Sequence, residues 1–159
     1  MRTDLLWRGP GRATKPAALV ASVAFVAGGL LLVWSAYIHF HLWDETDGYR
    51  HIATIGPLFL LQSIAGLLLG LLVLAARRVW VAIVGIGFAV ATMVGFLISV
   101  DHGLFGFKES WRAPDAHLAF DVEIAVIVVL LIAGALSSVR SASVTKGGAT
   151  AAVPTSSGA

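Results

Sequence analysis

Residues 57–100 read PLFLLQSIAGLLLGLLVLAARRVWVAIVGIGFAVATMVGFLISV, two apolar runs of 20 and 22 residues parted only by Arg77 and Arg78. A helix rises 1.5 Å per residue, so each run is long enough for the roughly 30 Å hydrocarbon core of a bilayer. The two-residue link makes the pair an antiparallel helical hairpin. Pro57 suits a first helical turn, where its missing N–H costs nothing.

Two further runs lie outside this hairpin. Residues 17–38 form an apolar stretch of 22 residues, about 33 Å of helix. A secretory signal has a shorter apolar region, about 7 to 15 residues, and a small-residue cleavage site after it. Here Tyr37, His39, Phe40 and His41 follow instead, so the segment reads as a retained helix. Residues 116–138 supply the fourth run. The expected fold is therefore an all-α integral membrane four-helix bundle, up-down-up-down, with spans near 17–38, 57–76, 79–100 and 116–138. Residues 1–16 read as a basic cytoplasmic tail. Residues 139–159, small and polar, read as a disordered cytoplasmic tail.

Composition agrees with this. The 159 residues are 58% hydrophobic and only 13% charged, about half the charge of a soluble domain. Basic residues sit at the ends of the apolar runs and form no patch for nucleic acid. The chain has no cysteine, which excludes disulfides, thiolate nucleophiles, iron–sulfur clusters and thiol–quinone redox chemistry. Arg2, Arg8, Arg12, Lys15, Arg77, Arg78, Arg140 and Lys146 share one side of the expected topology, against Arg50, Lys108 and Arg112 on the other. The positive-inside rule then puts both termini in the cytoplasm of a multi-pass cell-membrane protein.

All five histidines fall on the opposite, extracytoplasmic side. His39, His41 and His51 share one loop region, so only three of these placements are independent. His39 and His41 are two apart, about 200° on a helix, and cannot grip one ion together. His39 is expected to face the bundle, one turn from Ser35. His102 follows Asp101 at the end of the third span, and His117 stands four residues before Asp121, a spacing that suits two ligands, a carboxylate orienting an imidazole, or a simple ion pair. Asp121 and Glu123 lie roughly 7 to 10 Å inside the fourth span. A carboxylate at that depth should look into the bundle or a wet cavity, and Glu123 is expected to pair with Arg112, Lys108 or a histidine.

Gln62 is the lone amide of the second span and suits a bridge between helices. Gly66 and Gly70, and Gly87, Ala91, Gly95 and Ser99, make small-residue ridges for close helix approach within the bundle, or toward a second copy or another membrane protein. Residues 103–107, GLFGF, are apolar enough to fold back over the histidine end.

The segment SAYIHFHLWDETDGYRHIATIGPLFLLQ (35–62) and the later LFGFKESW resemble an uncharacterised family of small four-span actinobacterial integral membrane proteins. There too a histidine ends the first helix and Tyr-Arg-His precedes an Ile-x-Pro-Leu-Phe-Leu-x-Gln helix. The resemblance covers the spans and not the tails, and implies a fold but no substrate.

Two classes of function follow. One is a transition-metal or haem site at the extracytoplasmic end, with His39, His102 and His117 as ligands and Asp121 or Glu123 as ligand or orienting group. The other is a non-catalytic accessory or structural subunit, with a pH-responsive variant in which imidazoles titrate near pH 6.5. No phosphate loop, serine triad or zincin helix is present, so no catalytic residue is assigned and the balance tilts away from an enzyme.

Overall fold

The computed structural model describes residues 6, 7, 9, 15–45 and 47–148, with side-chain surroundings in the helices given for 17–138. It is all-α, with four long helices: α1 (Lys15–Asp44), α2 (Ile55–Ala76), α3 (Val79–Asp101) and α4 (Ala116–Gly148). All four carry stretches long and apolar enough to cross a membrane. Leu19, Trp34, Leu68, Ile83 and Leu131 lie exposed on their outer faces, as expected where lipid is the solvent.

The first helix runs six residues beyond its expected end and carries His39 and His41 with it. Its apolar face continues past Ile38 to Leu42, and both are buried together with Val122 of α4. On the outer face, contacts at helical spacing extend the turn: Tyr37 stacks on His41, and His41 reaches Glu45 at 3.2 Å. Gly48 ends the run. A Cβ there would lie 2.5 Å from the Leu42 carbonyl oxygen, so the chain can fold back only with glycine. A short 3-10 turn, Tyr49–His51, then leads to α2, which begins two residues before Pro57. Helical backbone in α4 continues to Gly148, ten residues past the expected end of the fourth span. The rest of the tail read as disordered, 149–159, lies outside the described residues, as does most of the basic leader.

The α2–α3 link is the tight turn its length requires. Arg77 takes a left-handed conformation and its N–H returns to the Val73 carbonyl at 3.2 Å. Leu6 and Trp7 lie against this turn, with the Leu6 carbonyl accepting from Trp80 N–H and the Trp7 carbonyl from Arg78. At its far end, α3 closes on Gly103, whose positive φ of 84° lets its N–H reach the carbonyls of Ile98 and Ser99.

Adjacent glycines on α1 set the packing. A Cβ on Gly28 would come within 2.4 Å of Leu130 of α4, and one on Gly29 within 3.0 Å of the Gly70 carbonyl of α2. Thus α1 sits between α2 and α4, while α3 packs mainly on α4. Phe25, Leu32, Val73, Val81, Ala89, Val126 and Leu130 fill the resulting core. Despite their short link, α2 and α3 touch only sparingly. The expected ridge on α3 is therefore not a packing ridge within the chain: Cβ atoms on Gly87 and Gly95 would meet nothing within 4 Å. Gly66 and Gly70 do serve the close approach to α1.

Substitution should separate the two kinds of glycine. Gly70→Val would drive methyl groups into the α1 backbone and is expected to cost about 1–3 kcal/mol or more. Gly95→Ala should leave stability unchanged or raise it by up to about 1 kcal/mol. Denaturation in detergent micelles checks both.

Candidate functional site

The end of the bundle that carries residues 47–54 and 102–115 gathers Ser35, His39, Ser99 and Glu123, four of the six buried polar side chains among the described residues. Ser35, His39 and Leu42 lie on one face of α1 at spacings of four and three, and all three are buried. The Nδ1 of His39 is 2.9 Å from the Ser35 carbonyl oxygen. A carbonyl only accepts, so Nδ1 carries the hydrogen and neutral His39 keeps its lone pair on Nε2. The imidazole rests against Phe59 of α2, ring centres 5.5 Å apart.

Glu123 of α4 meets this face from the other side. It is 1% exposed, and its Oε1 accepts the Ser35 hydroxyl at 2.5 Å. Its Oε2 is buried without any hydrogen-bond partner. Glu123 was expected to pair with Arg112, Lys108 or a histidine; the structure gives it a serine hydroxyl. Lys108 instead donates to the Asp101 carbonyl at 3.2 Å.

A roof closes over these groups. Tyr49 stacks flat on Phe59, centres 4.0 Å apart, and meets the edge of Phe107. Its hydroxyl donates to Glu109 Oε2 at 2.6 Å. Glu109 is held in turn by its own N–H, which donates to the Ser99 hydroxyl at 3.2 Å, and by the Ser110 N–H on Oε1. Burial, then the neighbouring Glu109, raise the Tyr49 pKa above the ordinary phenol value, so Tyr49 remains a neutral donor.

Beneath this roof is a cavity of about 50 Å³ lined by His39, Tyr49, Phe59, Phe96, Glu109 and Glu123, room for a few waters. A larger cleft of about 450 Å³ adjoins it between α2 and α3. Gln62 bridges the two helices across that cleft, donating to the Thr92 hydroxyl at 2.5 Å, and Leu104 and Phe107 of the apolar loop form part of its wall.

The other candidate ligands lie elsewhere. His102 is 78% exposed beside Asp101. His117 is exposed with its ring stacked on Trp111, and Asp121 is exposed as well. His41 pairs with Glu45, and His51 accepts from Arg50. Among the described residues, no three His, Cys, Asp or Glu side chains are grouped to hold a metal ion. Of the five residues singled out as ligands, only His39 and Glu123 come together, joined through Ser35. Thr92 and the Tyr49–Glu109 pair were not foreseen. Their partners are distant in sequence, and only the four-residue spacing of Ser35 and His39 offered a local signal.

Comparison with family models, with curated proteins and with solved structures finds no match to this chain.

Tyr49→Phe should leave Glu109 Oε2 without its donor and cost about 1–3 kcal/mol. The raised Tyr49 pKa also gives a signed pH dependence. Its stabilising contribution is complete below the unfolded phenol value near pH 10 and declines as pH rises past it. Unfolding measured between about pH 8 and 11 should show that decline in the wild type and not in Tyr49→Phe.

Proposed function

We propose that the chain is a multi-pass cell-membrane protein, up-down-up-down with both termini cytoplasmic, whose extracytoplasmic end carries a proton-responsive, non-catalytic site on Ser35, His39 and Glu123. The orientation rests on the basic residues: the α2–α3 turn holds Arg77 and Arg78, and eight of the eleven Lys and Arg fall on that side of such a topology,. Cysteine labelling tests it, since the chain has none of its own. A membrane-impermeant maleimide added to whole cells should modify Phe105→Cys and spare Arg77→Cys; the reverse pattern rejects the orientation.

The site reading is carried by one observation, the unpartnered Oε2 of Glu123 in a cavity it shares with His39. A carboxylate withdrawn from water within a membrane span must have its charge balanced, by a proton or by a cation. Neither Lys nor Arg lines the cavity. Ser35 of α1 donates to Glu123, and His39 from α1, Tyr49 from the 3-10 turn, Glu109 from the loop, and Thr92 and Phe96 from α3 line the same cavity. Of these, His39 and Glu123 meet through Ser35, and each has a free position that can take up a proton,. A proton gained by His39 or by Glu123 changes the balance between α1 and α4 where they meet.

A metal held by His39, His102 and His117 would need the two exposed histidines to leave their partners and converge on the buried one. The pH-responsive reading needs no such movement. Infrared difference spectra recorded between about pH 5 and 8 should contain a protonated-carboxyl band that is missing from Glu123→Gln. Identical spectra for the two proteins would reject the reading.

A further inference from the structure

We propose that the α2–α3 cleft and the cavity behind it bind a lipophilic organic cation, an ammonium or phosphonium with apolar substituents, that enters sideways from the lipid. The inference rests on reading Glu123 as the charge the cavity must balance, and it names what balances it besides a proton.

The two spaces meet: His39, Phe59, Thr92, Phe96 and Glu109 line both. At about 450 Å³, the outer space lies within the roughly 300–1,000 Å³ range of small-molecule sites,. Its mouth lies between two spans that barely touch, and Gly95 on its wall has nothing within 4 Å of where a Cβ would stand. The walls are mostly hydrocarbon, with Leu58, Leu61, Ala65 and Ala91 beside Phe88 and Phe107.

The charged side chains that line the two spaces have one sign. Glu109 and Glu123 are the acids, and no Lys or Arg lines either space. Glu109 has a donor on each oxygen, from Tyr49 and Ser110, whereas Glu123 keeps one oxygen buried and unmatched. The aromatic rings of Tyr49, Phe59, Phe96 and Phe120 surround that inner space, and aromatic faces favour an organic cation.

Other occupants fit less well. A lipid chain would fill the cleft and leave Glu123 unbalanced. A second copy could not supply the charge, because no Lys or Arg occurs within any of the four spanning segments. A divalent metal ion takes six or more oxygens or a set of imidazoles, and no such group of side chains is formed among the described residues.

Protons and cation compete for the same balance, so binding should weaken as pH falls, through Glu123 and through His39, whose imidazolium would repel the ligand. The test is equilibrium binding of radiolabelled tetraphenylphosphonium to the purified full chain in an uncharged detergent. Saturable binding is expected, weaker at acid pH and not displaced by neutral triphenylphosphine oxide. Glu123→Gln should lower affinity at least about tenfold. Gly95→Leu, whose added side chain enters open space, should also lower it while eluting as the wild type does on size exclusion; this keeps the test decisive if Glu123→Gln fails to fold. Absence of saturable binding, displacement by the neutral analogue, or unchanged affinity in Gly95→Leu would each overturn the proposal. If binding is absent while the Glu123 carboxyl band persists, the cation falls and the proton site stands. A missing band in cation-free protein removes the reading beneath it.

Discussion

The closeness of α1 to both of its neighbours governs the arrangement of everything else. Gly28 admits Leu130 of α4, and Gly29 lies against the Gly70 backbone of α2. In lipid there is little hydrophobic drive between helices, so close van der Waals packing over small residues does the associating. Once α1 has taken both α2 and α4, and α3 has packed on α4, little besides the Gln62–Thr92 hydrogen bond draws α2 and α3 together. Their two-residue link holds one end, and that single side-chain bridge spans the cleft. The cleft is thus a consequence of where the glycines are used.

The same arrangement explains why one end of the bundle is polar inside. The approach of α1 to α4 brings Ser35 against Glu123 and leaves His39 one turn further along. Tyr49 and Glu109, from two separate connections, pair above them, and Phe59 carries both the Tyr49 and the His39 rings. Hydrogen bonds in so dry a setting hold side chains firmly, and a group left without one is correspondingly exposed to any partner that arrives. Glu123 Oε2 is such a group.

The four spans and several residue placements are legible along the chain. Apolar runs near twenty residues mark the spans because a bilayer has one thickness, and Asp47-Gly48 and Arg77-Arg78 mark where backbone leaves it. The inward turn of His39 away from His41 followed from helical periodicity alone. Glu123 stood out because burying a carboxylate is costly. The helix α1 outlasts its apolar run by six residues, since two histidines interrupt that run while the buried face, Ile38 and Leu42, continues past them.

Partners across the fold were not legible. Nothing local distinguishes Gly66 and Gly70 of α2, which pack, from Gly87 and Gly95, which face open space, because both ridges repeat small residues at four-residue intervals. Nor could a sequence assign Ser35 rather than Arg112 or Lys108 to Glu123: that depends on which helix faces lie together, and α4 could turn several ways at equal apolar cost. The chain itself determined four apolar helices, because hydropathy and helical rise are local properties. Only the tertiary structure decided that one histidine and one carboxyl meet while two other histidines stand apart, because that follows from which helices approach closely enough to exclude everything else.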